Sequence, residues 1–469
     1  MASRSISAGA SAMPPLGAVG GEDRLPVSLC LGFGVGSFGI AILLNTVTTF
    51  FPALMTTVLG QSAAIAGLLL TVSKLYDAFA DIAIGTISDR TRSPIGRRRP
   101  FLLAGALIGG LSFLLIFIPP HLSNGALAIW MGIALVVYST GYSLFSVPYV
   151  AMAGEMTDGY HERTRLLSYR AFFVMLGQLL SSAGTAAIIT WAGGGRPGYA
   201  AMGIATAVLM AGSMIGSFYG TRHARIVHPE TAAKTIGRGE ALRALASNKP
   251  FVLLMLIKIG QYMGIAIVNT SKLLFLLNIV HVGYVGLINL TLVQNVVSAL
   301  CVPLWAWVAR RFGKRPSYLV STAILALVYL SWYWTGPGMT MPAIWLRGAA
   351  NGVAAAGTTL LSVAMLPDVM EYDRLRTGLR REGIFSSIYS IIEKLSYALG
   401  AGVVGVLLSM GGYIPTLKGA IVAQPATAIT ALYTGASLLP AALVTLSFVL
   451  MLFYPLNEKR LKAAREAAK

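Results

Sequence analysis

Residues 25–73 read LPVSLCLGFGVGSFGIAILLNTVTTFFPALMTTVLGQSAAIAGLLLTVS, with no Asp, Glu, Lys or Arg between Arg24 and Lys74. A helix needs roughly 20 apolar residues to cross a bilayer. This stretch therefore holds one span and most of a second, divided by the turn signal Leu59-Gly60-Gln61-Ser62. The same pattern recurs between Arg99 and Glu155, broken at Pro119-Pro120 and Asn124-Gly125. Carried along the chain, it predicts spans near 26–51, 62–88, 100–118, 126–150, 166–191 and 199–221. After a polar stretch come 250–278, 284–308, 317–335, 342–366, 383–410 and 428–454, making twelve. The first is too long, and lacks a small-residue cleavage site, for a removable signal peptide.

Composition agrees. Of 469 residues 56% are hydrophobic and 11% charged, with mean hydropathy +0.72. Soluble chains carry about 25% charged residues, so this one cannot cover a water-facing surface. Disorder, a secreted disulfide scaffold and a cytosolic enzyme are poor fits. Cys30 and Cys301 lie in apolar stretches outside any CxxC or metal-ligand spacing, and read as buried thiols. No HExxH, GxSxG, P-loop or His/Cys cluster supports a membrane-embedded enzyme or receptor.

The net charge of +19 has a topological reading. Twenty-nine Lys and Arg residues fall on one side of the twelve spans, against Arg196 and Lys418 on the other. The positive-inside rule then puts both termini in the cytoplasm, and the charge requires no nucleic-acid partner. Gly96-Arg97-Arg98-Arg99-Pro100 after span 2 matches Gly313-Lys314-Arg315-Pro316 after span 8, at the same place in each six-span half. The expected organisation is an all-α membrane protein of two six-helix bundles. A tail over 1–24 precedes the first bundle (25–221), a basic linker (222–249) precedes the second (250–455), and a tail (456–469) follows. Parallel repeats of this kind place a solute cavity at the midplane between two rocking halves.

Ionisable residues inside spans are costly and mark ion or solute paths. Lys74, Asp77 and Asp81 in span 2 share one helix face. Two carboxylates one turn apart, with an ammonium beside them, form a natural proton or cation site, Na+ included. A salt-bridge ladder that fixes packing is the alternative. Glu393 and Lys394 in span 11 point about 100° apart, and Lys394 is the better candidate to reach the span 2 acids. Arg170 opens span 5 as a fork for hydroxyl pairs or a carboxylate, or as an edge charge. Tyr138, Tyr142, Ser143, Ser146 and Tyr149 form a polar-aromatic stripe on span 4, also readable as helix packing. Lys258, Lys272 and Arg347 line the cavity or snorkel. Asp89, Arg90 and Arg97 between spans 2 and 3, with Arg163 in loop 4–5, suit a latch of helix ends at the cytoplasmic gate.

Asp77-Ala78-Phe79-Ala80-Asp81, Ser88-Asp89-Arg90-Thr91-Arg92 and Gly96-Arg97-Arg98-Arg99-Pro100 together resemble the glycoside–pentoside–hexuronide:cation symporters, the melibiose-permease-like branch of the major facilitator superfamily. Val147-Pro148-Tyr149, Glu162-Arg163-Thr164, Ser168-Tyr169-Arg170, Pro367-Asp368, Glu371-Tyr372 and the Lys394 region extend the match over nearly the whole chain. The resemblance implies cation-site acids at Asp77 and Asp81, a hydroxyl beside them at Ser143, a coupling lysine at Lys394 and a substrate arginine at Arg170. Departures are visible too. Gly39 and Ser146 stand where the family has sugar-binding acids, Val150 and Thr359 where it has tryptophans, and Ala80 where it has an asparagine. Fewer oxygen ligands favour H+ over Na+.

The expected function is symport of H+ or Na+ with a small polar solute, a glycoside foremost, by alternating access. Such a carrier sits as a monomer in a bacterial inner membrane and takes no cofactor beyond the coupling ion. Arg170, Tyr142, Ser146, Tyr149 and Thr359 are the candidate substrate contacts, and Lys74 joins Lys394 in coupling. A lysolipid or amphipathic carboxylate is the alternative cargo.

Overall fold

The computed structural model describes residues 24–157, 160–224, 248–377, 382–416, 422–456 and single positions near the C-terminus. Both expected tails and the basic linker fall largely outside the described residues. Among the described residues, twelve helices are long and apolar enough to cross a membrane. They are α1 (Val27–Val58), α2 (Ala63–Arg90), α3 (Arg99–Phe117), α4 (Asn124–Met156), α5 (Arg165–Trp191), α6 (Gly195–Gly220), α7 (Lys249–Val280), α8 (Gly283–Phe312), α9 (Lys314–Trp334), α10 (Met341–Thr377), α11 (Ile388–Met410) and α12 (Ala426–Leu452). Each covers a predicted span. Several overrun it by one to three turns, because polar ends such as Asp368 to Thr377 continue the helix past the apolar run.

Local signals set the ends. Ser62 caps α2 by accepting from the Ile65 amide, and Asn248 caps α7 by accepting from Phe251, satisfying amides that the first turn leaves bare. Gly96 and Gly313 carry φ of 96° and 91° ahead of α3 and α9. The repeated basic motif thus has a glycine at a left-handed backbone angle in both halves, within the 91–98 loop in the first and as the single residue between α8 and α9 in the second. The halves also share a π-turn at the far ends of α1 (Leu54–Val58) and α7 (Leu276–Val280), a widening that sequence periodicity does not reveal.

Helices α1 to α6 pack among themselves, as do α7 to α12, and the halves meet through α2 with α11, α1 with α7, and α5 with α8. The α2–α11 seam is bare backbone at its far end. A Cβ on Gly67 would lie 2.7 Å from Gly405 Cα, so only glycine lets the helices close there. Thr71 Oγ1 donates to the Ala398 carbonyl at 3.0 Å, Thr416 bonds the carbonyls of Thr56 and Thr57, and Tyr284 donates to Tyr199. These ties join the halves on the side away from the termini. On the termini side, ion pairs close each half on itself. Arg97 pairs with Glu155, and Arg98 joins Asp89, Glu155 and Ser88. Lys314 on α9 grips Asp368 on α10, the repeat-related position.

Candidate functional site

The mid-membrane site is built where α2, α4 and α11 meet. Ser73 and Ser139 share a hydrogen bond at 2.8 Å, and Tyr76 meets Thr140 at 2.9 Å, fixing α2 against α4. One turn further on, Ser143 Oγ lies 3.0 Å from Asp77 Oδ1 and 2.6 Å from Asp81 Oδ1. A hydroxyl has one proton to give, so the two carboxylates compete for it. From the other half, Lys394 Nζ reaches Asp77 Oδ2 at 3.2 Å and pairs closely with Asp81. Asp77 is 2% exposed. A buried carboxylate is tolerable only when paired and hydrogen-bonded, which Ser143 and Lys394 provide. Two acids against one lysine leave a single negative charge, the electrostatic condition for holding one further cation.

The expected group of Asp77, Asp81, Ser143 and Lys394 is therefore brought together. Lys74 shares their helix face but, among the described residues, forms no ion pair with them. Its ammonium lies 3.5 Å from Tyr138 Oη and over the rings of Tyr138 and Tyr142, so no ladder runs along α2. Tyr142 is the hub of the stripe, with Lys74 and Lys394 at 5.7 and 5.8 Å from its ring centre.

Tyr149 is placed away from the acids. It is fully buried, stacked on Phe33 at 4.3 Å, and donates its hydroxyl to the Phe33 carbonyl at 2.6 Å. That packs α1 against α4 and commits the hydroxyl proton to the Phe33 carbonyl. Ser146 is nearly buried and makes no bond to the acids, while Thr359 is exposed on α10 and joins the cluster through no described contact. Arg170 is half-buried, and its Nε is buried without a hydrogen-bond partner. Its main-chain carbonyl accepts from Ser37. Of the gate residues, Asp89 and Arg97 join the latch described above, Arg90 is exposed outside it, and the Arg163 side chain lies outside the described residues. Arg98 and Glu155 complete the latch and were not among the expected gate residues.

A second polar group lies in the other half. Lys258, fully buried on α7, bonds Gln261 Oε1 at 3.2 Å and stands over the rings of Tyr262 (4.8 Å) and Tyr389 (5.5 Å). Tyr318 on α9 donates to the same Gln261 oxygen, and the Tyr262 and Tyr389 hydroxyls meet at 2.8 Å. A lysine with Gln and Tyr three and four residues on was the available signal for this group. Arg347, in contrast, bonds the carbonyls of Ser331 and Ala343 over Trp332, a structural tie at the far end of α9. Among the described residues no cluster of three or more His, Cys, Asp or Glu side chains suits a metal.

Comparison with known proteins agrees with this architecture. The chain is 27% identical over 442 residues to the isoprimeverose transporter of Lactiplantibacillus pentosus, covering 93% of this chain and 90% of that one. It is 25% identical over 460 residues to a glucuronide carrier protein homolog of Escherichia coli, covering 94% and 95%. It is also 27% identical over 453 residues to a putative sulfoquinovose importer of Salmonella typhimurium, covering 94% and 93%. Among solved structures, a bacterial homolog of the lysosomal transporter Spinster shares the fold at TM-score 0.65 and 16% identity, covering 94% of this chain and 96% of that one. The nucleoside transporter NupG does so at 0.63 and 13%, covering 91% and 99%. With residues 32–458 matched to the family described as MFS/sugar transport protein, the chain belongs to that family and is a multi-pass membrane transporter, not an enzyme.

Proposed function

We propose that this chain is a symporter that couples a cation moving down its gradient to uptake of a glycoside, with Asp77 and Asp81 as the cation site. One observation carries the reading. Two carboxylates from the first half and one lysine from the second share a mid-membrane cluster, so the charge state of the cluster bears directly on how the halves fit. A cation on the acids releases Lys394 and loosens the α2–α11 contact. Solute in the cleft near Arg170 and Tyr142 then favours closure on the opposite face. Coupling of this kind is reciprocal: each ligand raises the affinity for the other.

The coupling ion in this reading is H+. Among the described residues Ser143 is the one side-chain hydroxyl hydrogen-bonded to the two carboxylates, a small oxygen set beside the six or more that hard divalent ions take. The 29 basic residues on one side put both termini in the cytoplasm, in a bacterial inner membrane and as a monomer. Halves joined on the far side then make this an inward-facing state. The names of the relatives support a glycoside cargo.

The test is uptake of labelled methyl glycosides and glycuronides into vesicles that contain the protein, with H+ and Na+ gradients imposed singly. Accumulation driven by the H+ gradient is expected. Uptake unchanged after both gradients are collapsed overturns the coupling.

A further inference from the structure

The outer third of the second half carries positive charge with no acid beside it. Lys272 lies about two turns short of the far end of α7, and Arg347 sits in the second turn of α10, which begins on that side. Asp and Glu are absent from residues 241–367 and 394–457. Asp368, the first acid along α10, is about six turns beyond Arg347, roughly 30 Å away, and pairs with Lys314 on the termini side. Glu393 acts on Lys258, about four turns nearer the termini than Lys272. Arg347 finds partial compensation in the Ser331 and Ala343 carbonyls, with its Nε buried and unpartnered. Lys272 finds less: one contact to Asn269 Oδ1 at 3.5 Å. Among the described residues neither cation forms an ion pair.

Lys272 lines a cavity of about 20 Å³ inside the second half, with Tyr329 and Trp332 of α9 and Asn351 of α10. Roughly 10–15 Å³ admits one water, so the space suits a single small occupant and no sugar. Its polar wall is rich in donors. An ammonium and an indole N–H only donate, and a phenol and an amide can do so. Tyr329 and Trp332 are buried, and among the described residues neither the hydroxyl nor the indole N–H donates a hydrogen bond. Asn351 gives one amide proton to Gln294 Oε1 at 3.1 Å and keeps the other. The Arg347 guanidinium stands 5.5 Å from the centre of the Trp332 ring, adding a second positive charge beside the same wall. The backbone is widened on two sides as well. Leu276 and Ala436, which also line the cavity, belong to π-turns of α7 and α12, and such turns gather at functional sites.

We infer that this cavity is a binding site for a small monovalent anion of chloride size, held by the Lys272 ammonium and the donors of Tyr329, Trp332 and Asn351. A water in the same space meets some of the donors but leaves the charge uncompensated, which is costly in a low-dielectric interior. A halide meets the donors through charge-assisted hydrogen bonds and cancels the charge. Bound there, the anion joins α7, α9 and α10 inside the second half. The site is separate from Asp77 and Asp81 and stands whatever solute the cleft takes.

The test is thermal unfolding of the purified full-length protein, followed by tryptophan fluorescence, as sodium chloride replaces sodium gluconate at constant ionic strength. Chloride and bromide should raise the unfolding temperature saturably by a few degrees, and sulfate, too large for the cavity, should not. Lys272→Met should abolish the response. If that variant does not fold, Tyr329→Phe takes its place and should weaken chloride severalfold. Equilibrium dialysis with radiolabelled chloride needs no variant: one saturable site per chain is expected in the parent. An unfolding temperature indifferent to chloride, an equal response to sulfate, or a response kept in full by these variants overturns the inference. So does a parent protein that retains no labelled chloride.

Discussion

Lys394, on the eleventh helix, holds its ammonium 3.2 Å from the carboxylate of Asp77, on the second. The two residues are contributed by different halves of the molecule. Any event that changes the charge at Asp77 therefore changes the attraction between halves, and no longer path is needed to link ion binding to conformation.

Asp77→Asn and Asp81→Asn each turn the cluster from net negative to neutral, one acid against one lysine. The expected outcome is normal insertion, loss of concentrative uptake, and residual exchange of solute down its gradient. Uptake assays in the same vesicles at equal expression check it; robust accumulation by both variants would remove these residues from the coupling step.

Removing the lysine acts in the opposite direction. Lys394→Met leaves Asp77 and Asp81 facing each other with only Ser143 between them. Breaking a buried pair from one side costs about 3–5 kcal/mol, reduced here because the Lys394 side chain is 19% exposed. Thermal unfolding in detergent should shift down, and the double variant Asp77→Asn/Lys394→Met should recover most of the loss. An additive double variant argues against a direct pair.

Far-side closure rests on Gly67 against Gly405. A Cβ at Gly67 meets backbone at 2.7 Å, which cannot swing aside as a flexible side chain would. Gly67→Ala should part α2 from α11 and populate the state open on the far side. A cysteine at the nearly buried Thr416, in a chain with Cys30 and Cys301 changed to serine, reports this by faster maleimide labelling. Labelling at the parent rate would mean that the seam does not govern closure.

Much of this was legible in sequence, for physical reasons. Charge-free runs of twenty residues are rare in water-soluble chains, so twelve spans could be read off, and acids within such runs stand out at once. The Lys394 partnership followed because one lysine on an adjacent Glu-Lys pair had to face away from its neighbour. Of the Lys258 group, only the α7 part (Lys258, Gln261 and Tyr262) left a signal in sequence. Gln261, Tyr318 and Tyr389 come from three helices, and tyrosines in a span read equally well as packing. Nor could sequence choose among Arg90, Arg97, Arg98 and Arg99, which differ by turns of a short loop. The turn at Gly96 and the entry angle of α3 send Arg97 and Arg98 to Glu155 and leave Arg90 exposed.

Tyr149 separates packing from recognition most cleanly. Its hydroxyl is committed to the Phe33 carbonyl at 2.6 Å, and its ring lies 4.3 Å from and nearly parallel to that of Phe33. Tyr149→Phe keeps the stack and removes one interhelical hydrogen bond to a carbonyl that retains its bond within α1, at a cost of about 0.5–1.5 kcal/mol. The unfolding temperature should therefore drop while solute affinity and the ion dependence of uptake stay at parent values. Tyr142→Phe should do the reverse, because both Lys74 and Lys394 stand over the Tyr142 ring: near-parent stability with weakened solute affinity. A fall in solute affinity for Tyr149→Phe as large as that for Tyr142→Phe would return Tyr149 to the binding surface and require the α1–α4 interface to open during transport.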